Sequence, residues 1–219
     1  MYGTTSFGGT GAGCPIRGGC GTVFKVTTGG TFTTLHSFQG ADGAEPLAAL
    51  IQATDGNLYG ATTGGGANGE GTVFKIILSG TLTTLYNFCS QTGCTDGYGP
   101  VHTLFQDTNG RIYGTTADGG TNNSCGADGC GTIFGLGVGL GPLVETVPTA
   151  GKAGERVIIL GNNLTGSTSV TFNGTAATFT VVSDTEITAT VPTGATTGTL
   201  QVTTPTGTLN SNPAFQVLL

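Results

Sequence analysis

A threefold internal repeat constrains this chain more than anything else in it. Met1-Tyr2-Gly3-Thr4-Thr5, Leu58-Tyr59-Gly60-Ala61-Thr62 and Ile112-Tyr113-Gly114-Thr115-Thr116 each lead through a glycine-rich loop into a second conserved run. Those runs are Gly21-Thr22-Val23-Phe24-Lys25, Gly71-Thr72-Val73-Phe74-Lys75 and Gly131-Thr132-Ile133-Phe134. A period of about 55 residues is close to that of propellers and related arrays, whose units cannot bury a core alone. Such a repeat biases function toward a scaffold or a binding surface.

The central unit reads as four short strands over 48–52, 58–62, 72–77 and 81–88. Asp55-Gly56 favours a tight primed turn between the first two, and Ser79-Gly80 turns the last pair. Four short antiparallel strands are what a propeller blade contains. The first unit lacks its first strand and the third its fourth. Residues 1–141 are therefore expected to form an all-β, partial β-propeller-like array of about two and a half four-stranded blades. Met1 occupies the place of Leu58 and Ile112, so the chain is expected to begin inside a unit, as a processed product, a fragment, or a subunit completed by a strand from elsewhere.

In place of its last strand, the third unit reads Gly135-Leu136-Gly137-Val138-Gly139-Leu140-Gly141. Strict alternation makes one face apolar and the other bare backbone. Two readings stay open: an interdomain linker, or a strand that pairs with an incomplete blade, its own or a neighbour's. On the second reading Leu136, Val138 and Leu140 make the contacts, and the edge begun by Met1 and Tyr2 receives them.

The run Asp55-Gly56-Asn57-Leu58-Tyr59-Gly60 with Gly71-Thr72-Val73-Phe74-Lys75 resembles the bacterial tandem repeat known as GloVer in choice-of-anchor proteins, over roughly residues 1–136. That resemblance implies a secreted or surface-exposed array and brings no enzymatic role. After Pro142 tyrosine and cysteine vanish and Val/Thr alternation takes over. Short strands separated by Asn173-Gly174, Pro192, Gly194, Pro205 and Gly207 suit an immunoglobulin-like β-sandwich over 142–219. Pro148, Gly151, Gly154, Val157-Ile158-Ile159-Leu160-Gly161, Val170-Thr171-Phe172-Asn173-Gly174 and Ile187-Thr188-Ala189-Thr190-Val191-Pro192 closely resemble the IPT/TIG domain. In bacterial surface proteins this resemblance implies a spacer or interaction module.

Charge narrows the partners. Six basic residues against 12 acidic ones, with no basic cluster, remove the electrostatic footing of nucleic-acid binding. No apolar run is long enough to span a bilayer as a helix. Only 8% of residues are charged, which gives weak protection against self-association and points to surface buried in a homo-oligomer or filament.

The cysteines fall in three close pairs, Cys14/Cys20, Cys89/Cys94 and Cys125/Cys130. The long Tyr2–Thr22 and Tyr113–Thr132 stretches carry cysteines, whereas the shorter Tyr59–Thr72 stretch carries none. Phe88–Pro100 likewise exceeds Phe38–Pro46 and holds Cys89 and Cys94. Every insertion arrives with its own pair. Three loop disulfides explain this, each contributing about 2 kcal/mol on the chain-entropy account, against a zinc site that would need four converging ligands. Disulfides place the protein outside a reducing cytosol, extracellular or at the cell surface.

Nothing assembles into catalytic machinery. His36 shares the slot of Tyr86, and His102 that of Ala48, so both histidines decorate strands. Asp55-Gly56-Asn57 and Asn109-Gly110-Arg111 read as turns rather than calcium loops, and Gly64-Gly65-Gly66 lacks the lysine and helix of a phosphate cradle. No cofactor is implied. Tyr2, Tyr59 and Tyr113 could line a sugar-binding face, though core packing is the commoner use of a repeated aromatic. Asn122, Asn163 and Asn173 begin Asn-x-Ser/Thr sequons. The expected function is a non-enzymatic extracellular structural subunit; the alternative is an adhesive or carbohydrate-binding surface module with a glycan ligand. Peptide mapping without reductant should return Cys14–Cys20, Cys89–Cys94 and Cys125–Cys130; links between different pairs would refute the loop-staple reading.

Overall fold

Short Thr- and Val-rich strands closed by glycine turns build the computed structural model of the chain, which describes residues 1–14, 18–122 and 124–219. Two units are present, one of residues 1–106 with 112–138, the other of 107–111 with 139–219. The first holds three antiparallel sheets. One is β1 (Tyr2–Thr5), β2 (Thr22–Val26) and β3 (Phe32–Ser37), in that order. The next has four strands, β4 (Ile51–Gln52), β5 (Leu58–Thr62), β6 (Thr72–Ile76) and β7 (Leu82–Asn87). The third is β8 (Phe105–Gln106), β9 (Ile112–Thr115) and β10 (Ile133–Leu136), with β10 at its edge.

Gly135 and Leu136 therefore lie inside β10, opposite Tyr113 and Ile112, while residues 137–141 lie outside any strand. The alternating segment does not act as a single strand. Its first two residues complete the third strand of their own sheet, because Phe134 and Leu136 continue the β10 register against β9.

The Asp55-Gly56 turn also differs from expectation. Gly56 N–H donates to the Ala53 carbonyl (2.9 Å) and Ala53 N–H to the Asn57 carbonyl (3.0 Å), with only Gly56 of the Asp-Gly pair at positive φ. This is a four-residue turn ending in a left-handed glycine, not a two-residue primed turn. The same closure recurs at Thr27–Thr31, Ile77–Thr81 and Asp107–Arg111.

A small sheet buries little by itself. Here Phe38, Tyr59, Phe74, Phe88 and Ile76 are fully buried, and Val23, Phe38, Leu58, Phe74 and Ile76 belong to one apolar cluster drawn from the first two sheets. The repeated Tyr-Gly glycine is a packing position. A Cβ on Gly60 would sit 2.6 Å from Phe74 Cζ and 2.7 Å from Leu50 Cδ2.

The second unit is a sandwich. One sheet runs β11 (Glu145–Val147), β13 (Arg156–Leu160), β17 (Glu186–Thr190) and β16 (Phe179–Ser183), with β12 (Ala150–Lys152) preceding β13 in sequence. The other runs β15 (Thr175–Ala176), β14 (Ser169–Phe172), β18 (Leu200–Thr204) and β19 (Gly207–Asn210). β20 (Gln216–Leu218) pairs in parallel with β12. Alternation sends Val157 and Ile159 of β13, Val170 and Phe172 of β14, and Leu200 and Val202 of β18 into one core. Asn173-Gly174 is the expected hairpin turn, with both residues at positive φ.

This unit begins at 139 rather than 142 and takes in the turn at 107–111. Leu143 N–H donates to the Thr108 carbonyl (3.1 Å) and Asn162 Nδ2 to Thr108 Oγ1 (2.8 Å), which ties that turn to the sandwich. Such a long-range attachment has no local signature.

Substituting Gly60→Ala should lower stability by about 1–3 kcal/mol, the ordinary cost of overpacking. Gly3→Ala should cost less, because the three atoms nearest a Cβ there all belong to the Phe24 ring, whereas Gly60 is also crowded by Leu50. Equal losses in urea unfolding would contradict this packing assignment.

Candidate functional site

The most repeated geometry in the first unit is the junction between successive sheets. Thr62 closes β5; its Oγ1 donates to the Gly64 carbonyl (3.0 Å), accepts from Thr72 N–H (3.1 Å) and lies 2.9 Å from Thr72 Oγ1. Thr116 repeats this with Asp118 and Thr132 at 3.0, 2.8 and 2.9 Å. Thr5 repeats it with Phe7 and Thr22 at 2.9, 3.2 and 2.8 Å.

Against the Thr62/Thr72 and Thr116/Thr132 pairs lies a glycine that follows the preceding sheet, Gly43 and Gly97 respectively, at φ 133° and 86°. A side chain there would collide with both threonines, so only glycine allows the approach. The junction is finished by aromatic rings. Phe38, just beyond β3, meets Phe74 edge-on at 5.2 Å, and Phe88, just beyond β7, meets Phe134 at 5.0 Å. Backbone pairs Ala44/Gly64 and Tyr98/Asp118 close both junctions in the same way.

Each junction loop is fixed by an aspartate. Asp42 Oδ2 lies 2.7 Å from His36 Nε2, and Oδ1 accepts from Gln39 N–H (2.7 Å). Asp96 accepts from the Tyr86 hydroxyl (2.8 Å), from Ser90 N–H (2.8 Å) and from Gln91 N–H (3.2 Å). Burial alone would raise the Asp96 carboxyl, but the Tyr86 and Ser90 hydroxyls and the Ser90 and Gln91 amides outweigh it and lower it to about 2. Asp55 is balanced likewise: burial pushes up, while Lys75 Nζ (2.7 Å), Asn57 and the Tyr59 hydroxyl (3.0 Å) bring it down to about 2. These carboxylates have neighbours that consume their lone pairs, which makes them structural staples.

The cysteines pair as Cys14–Cys20, Cys89–Cys94 and Cys125–Cys130, each closing an insertion next to a junction loop. Asn122, Asn163 and Asn173 are exposed; Ser124 donates to Asn122 Oδ1, and Asn173 Nδ2 donates to Thr196 Oγ1. Tyr59 is buried with its hydroxyl on Asp55, and Lys25 lies over the Tyr2 ring while Tyr113 stacks on Phe105, so the three tyrosines do not form one open face. His102 Nδ1 lies 3.3 Å from Thr115 Oγ1, remote in sequence and role from His36. Met1 prolongs β1 by a mutual backbone pair with Val26 (2.9 and 3.0 Å). Leu136, Val138 and Leu140 are half-buried.

One residue escaped the sequence reading. Ile133 stands at the repeat position of Val23 and Val73, which are fully buried, yet it is 83% exposed. Its signal was present in the alignment of the three repeats together with the missing fourth strand. Beside it lies a cleft of about 380 Å³ lined by Tyr86, Asp96, Ile133, Phe134 and Leu136.

The depressed Asp55 and Asp96 carboxyls fix a pH dependence. Each binds its proton less readily folded than at the ordinary 3.8, so its contribution is complete above about pH 4 and is lost as pH falls toward about 2. Asp55→Asn should therefore flatten the acid loss of stability in that window while lowering stability at neutral pH. An unchanged acid limb in urea titrations would show that the Lys75–Asp55–Tyr59 cluster carries no linkage.

Comparison with known proteins adds the lineage. Residues 1–178 match the family model of the Gloeobacter/Verrucomicrobia repeat, and residues 143–217 that of the IPT/TIG domain. No curated protein matches. Among solved structures, an auxiliary nutrient binding protein from Bacteroides ovatus is 23% identical over 35% of this chain, at a TM-score of 0.31. A gamma-CGTase from Alkalophilic bacillus clarkii is 19% identical over 77% of it, at 0.30. This chain covers 20% and 25% of those two chains. With its repeat, sheet junctions and family match spanning most of its length, the chain belongs to the Gloeobacter/Verrucomicrobia repeat family and carries an IPT/TIG domain behind the repeats.

Proposed function

We propose that this chain is a non-catalytic structural module, working outside the cytoplasm or at the cell surface, that joins further copies through an open sheet edge. The observation that carries this reading is the third sheet. Its two predecessors hand a terminal phenylalanine and an Asp-Gly loop to the sheet that follows, whereas the third stops at β10 and the chain runs on through 137–141 without supplying either. The sheets are read here as blades of a propeller-like array, joined head to tail. A head-to-tail contact between copies is heterologous, so it builds a ring where the rotation closes and a filament where it does not. Filament is the preferred form, since nothing in the sequence fixes the rotation that a ring requires, and a charge content of 8% opposes self-association weakly.

Three disulfides support a location outside a reducing compartment. Among the described residues no helix is long and apolar enough to cross a membrane, and Asp42, Asp55 and Asp96 hold loops and turns through their hydrogen bonds.

A second reading, an adhesive or glycan-binding surface, is favoured by a different cleft. It has a volume of about 340 Å³ and is lined by Glu70, Tyr98, Gly119, Gly120 and Asp128, a tyrosine among carboxylates and bare backbone. Burial and the nearby Asp128 raise the Tyr98 hydroxyl above its ordinary value.

Light scattering and negative-stain microscopy of the purified chain at increasing concentration should show mass growing beyond the 21.6 kDa monomer into ordered strings or rings. A compact monomer at every concentration would overturn the assembly. Under that outcome, saturable glycan binding weakened by Tyr98→Ala would move the assignment to the second reading.

A further inference from the structure

We infer that the outer face of the β11–β13–β17–β16 sheet binds a carboxylate-bearing sugar, with Arg156 as the carboxylate anchor and Thr178, Thr180, Thr188 and Thr190 as a ring of hydroxyls. The site belongs to the second unit alone, so it goes beyond both readings given above.

Strand alternation builds the face. Val157, Ile159, Ile187 and Ala189 turn into the sandwich core, so Arg156, Ile158, Thr188 and Thr190 point outward. On β16 the core takes Phe179 and Val181, and Ala177 before them, which leaves Thr178 and Thr180 outside. Register then fixes the neighbours. Arg156 lies opposite Thr190, Ile158 opposite Thr188, and Thr180 opposite Thr188. Thr190 N–H donates to the Thr178 carbonyl (3.0 Å), which carries the pairing one step further. The result is two rows across three strands, Arg156–Thr190–Thr178 and Ile158–Thr188–Thr180. Neighbours within a row stand about 4.8 Å apart and the rows about 7 Å apart, a grid on the scale of one sugar ring.

These side chains line a shallow cavity of about 300 Å³. That is the small end of the range for ligand sites and suits a single ring. Arg156 donates from Nη2 to Thr188 Oγ1 (3.2 Å), one bond from a group with five N–H donors. Among the described residues no carboxylate lies within ion-pair reach of it, and the hydroxyls of Thr178, Thr180 and Thr190 have no partner. Charge is scarce in this chain and its other cations have work: Lys75 bonds Asp55, and Lys25 lies over the Tyr2 ring. A guanidinium with donors to spare, set among unpaired hydroxyls at one cavity, is a departure from that economy.

The chemistry of the ligand follows from what the cavity offers. A guanidinium fork matches a planar carboxylate with two parallel hydrogen bonds. The sheet's own carboxylates, Glu145 and Glu186, stand one row beyond Ile158, on either side of Leu160. They disfavour a second negative charge on the ligand, which selects a monocarboxylate over a phosphate ester. Threonine hydroxyls both donate and accept, so they complement a hydroxyl-rich body better than an apolar acid. Ile158, 38% exposed beside Arg156, offers an apolar surface to the C–H side of a sugar ring.

The probe is methyl α-D-galacturonoside, titrated into the full isotope-labelled chain and followed by amide NMR shifts. Saturable shifts are expected at Arg156, Thr178, Thr180, Thr188 and Thr190. The methyl ester of the probe, neutral methyl galactoside and sodium acetate should each bind about tenfold more weakly or worse, since each lacks either the charge or the hydroxyls. Arg156→Gln should cost a similar factor, and Arg156→Lys, which keeps the charge without the fork, should recover only part of it. Arg156 is exposed, so both variants keep the fold, which the same spectra verify. Tyr98→Ala should leave this binding unchanged.

Equal binding of acetate or methyl galactoside, tighter binding of methyl galactoside 6-sulfate, shifts centred on other residues, indifference to Arg156→Gln, or an absence of saturable shifts would overturn the inference. The readouts stay separate from those for assembly and for the Tyr98 cleft. Self-association without galacturonoside binding removes this site alone, and galacturonoside binding by a monomer keeps it.

Discussion

The first unit depends on one contact, a phenylalanine at the end of one sheet set edge-on against the central phenylalanine of the next. The contacts of Phe38 on Phe74 and of Phe88 on Phe134 bury the first three of these rings fully and the fourth in part, which neither sheet could achieve alone. Full burial of a side chain of this size is favourable by about 1.5–3 kcal/mol, which a three- or four-stranded sheet cannot obtain from its own two faces. The rest of the junction makes the approach close enough. Gly43 and Gly97 allow backbone to rest on the threonine pairs, and those pairs leave few polar atoms idle, because each strand-end hydroxyl donates to a nearby carbonyl and accepts from an amide.

Charge is used sparingly and in the same places. Asp42 and Asp96 hold the loops that present the two glycines, and Asp55 holds the turn between β4 and β5 through Lys75, Asn57 and Tyr59. With so few charges in the chain, the ones at loops act through hydrogen bonds to neighbouring amides and hydroxyls more than through long-range fields. The disulfides work alongside them. Cys89–Cys94 closes the loop whose later residue is Asp96, and Cys14–Cys20 brings Cys20 into the apolar cluster with Val23 and Phe38. An insertion can lengthen a junction loop without loosening the junction, provided its base is tied.

How much of this could be read from residues depends on range. The strands of the four-stranded sheet and the shortfall of one strand at each end followed from the repeat alone, since strand periodicity and Gly-containing turns are local signals. The turn at Asp55-Gly56 was misread because its closure, shared with Thr27–Thr31, Ile77–Thr81 and Asp107–Arg111, spans one residue more than a two-residue primed turn and needs positive φ at its glycine alone. The shared role of Asp42 and Asp96 was hidden by the cysteine insertion, which shifts one relative to its phenylalanine. The parallel pairing of β12 with β20 and the attachment of the turn at 107–111 to the sandwich join residues far apart in sequence, and no local pattern announces them. Ile133 is exposed at a repeat position where Val23 and Val73 are fully buried, a difference that its own residue type does not announce.

The third sheet also departs from the others at the position of the repeat's lysine. Where the first two carry Lys25 and Lys75, it carries Gly135. The lysines lie over Tyr2 and Tyr59; the glycine instead leaves room for the Tyr113 ring, since a Cβ there would come within 2.6 Å of Tyr113 Cε1. Tyr113 then stacks on Phe105 at 5.5 Å, and an aromatic pair replaces the cation over the ring. The glycine that begins the alternating Gly135–Gly141 segment is therefore explained by packing inside its own sheet. Its side effect is electrostatic. A lysine at an edge strand is one of the common protections against pairing with a neighbour, and β10, at the edge of its sheet, has none. Packing on one face of β10 and the loss of the repeat's lysine from its edge follow from the same residue, so the local departure from the repeat changes both the aromatic contacts and the charge of the third sheet.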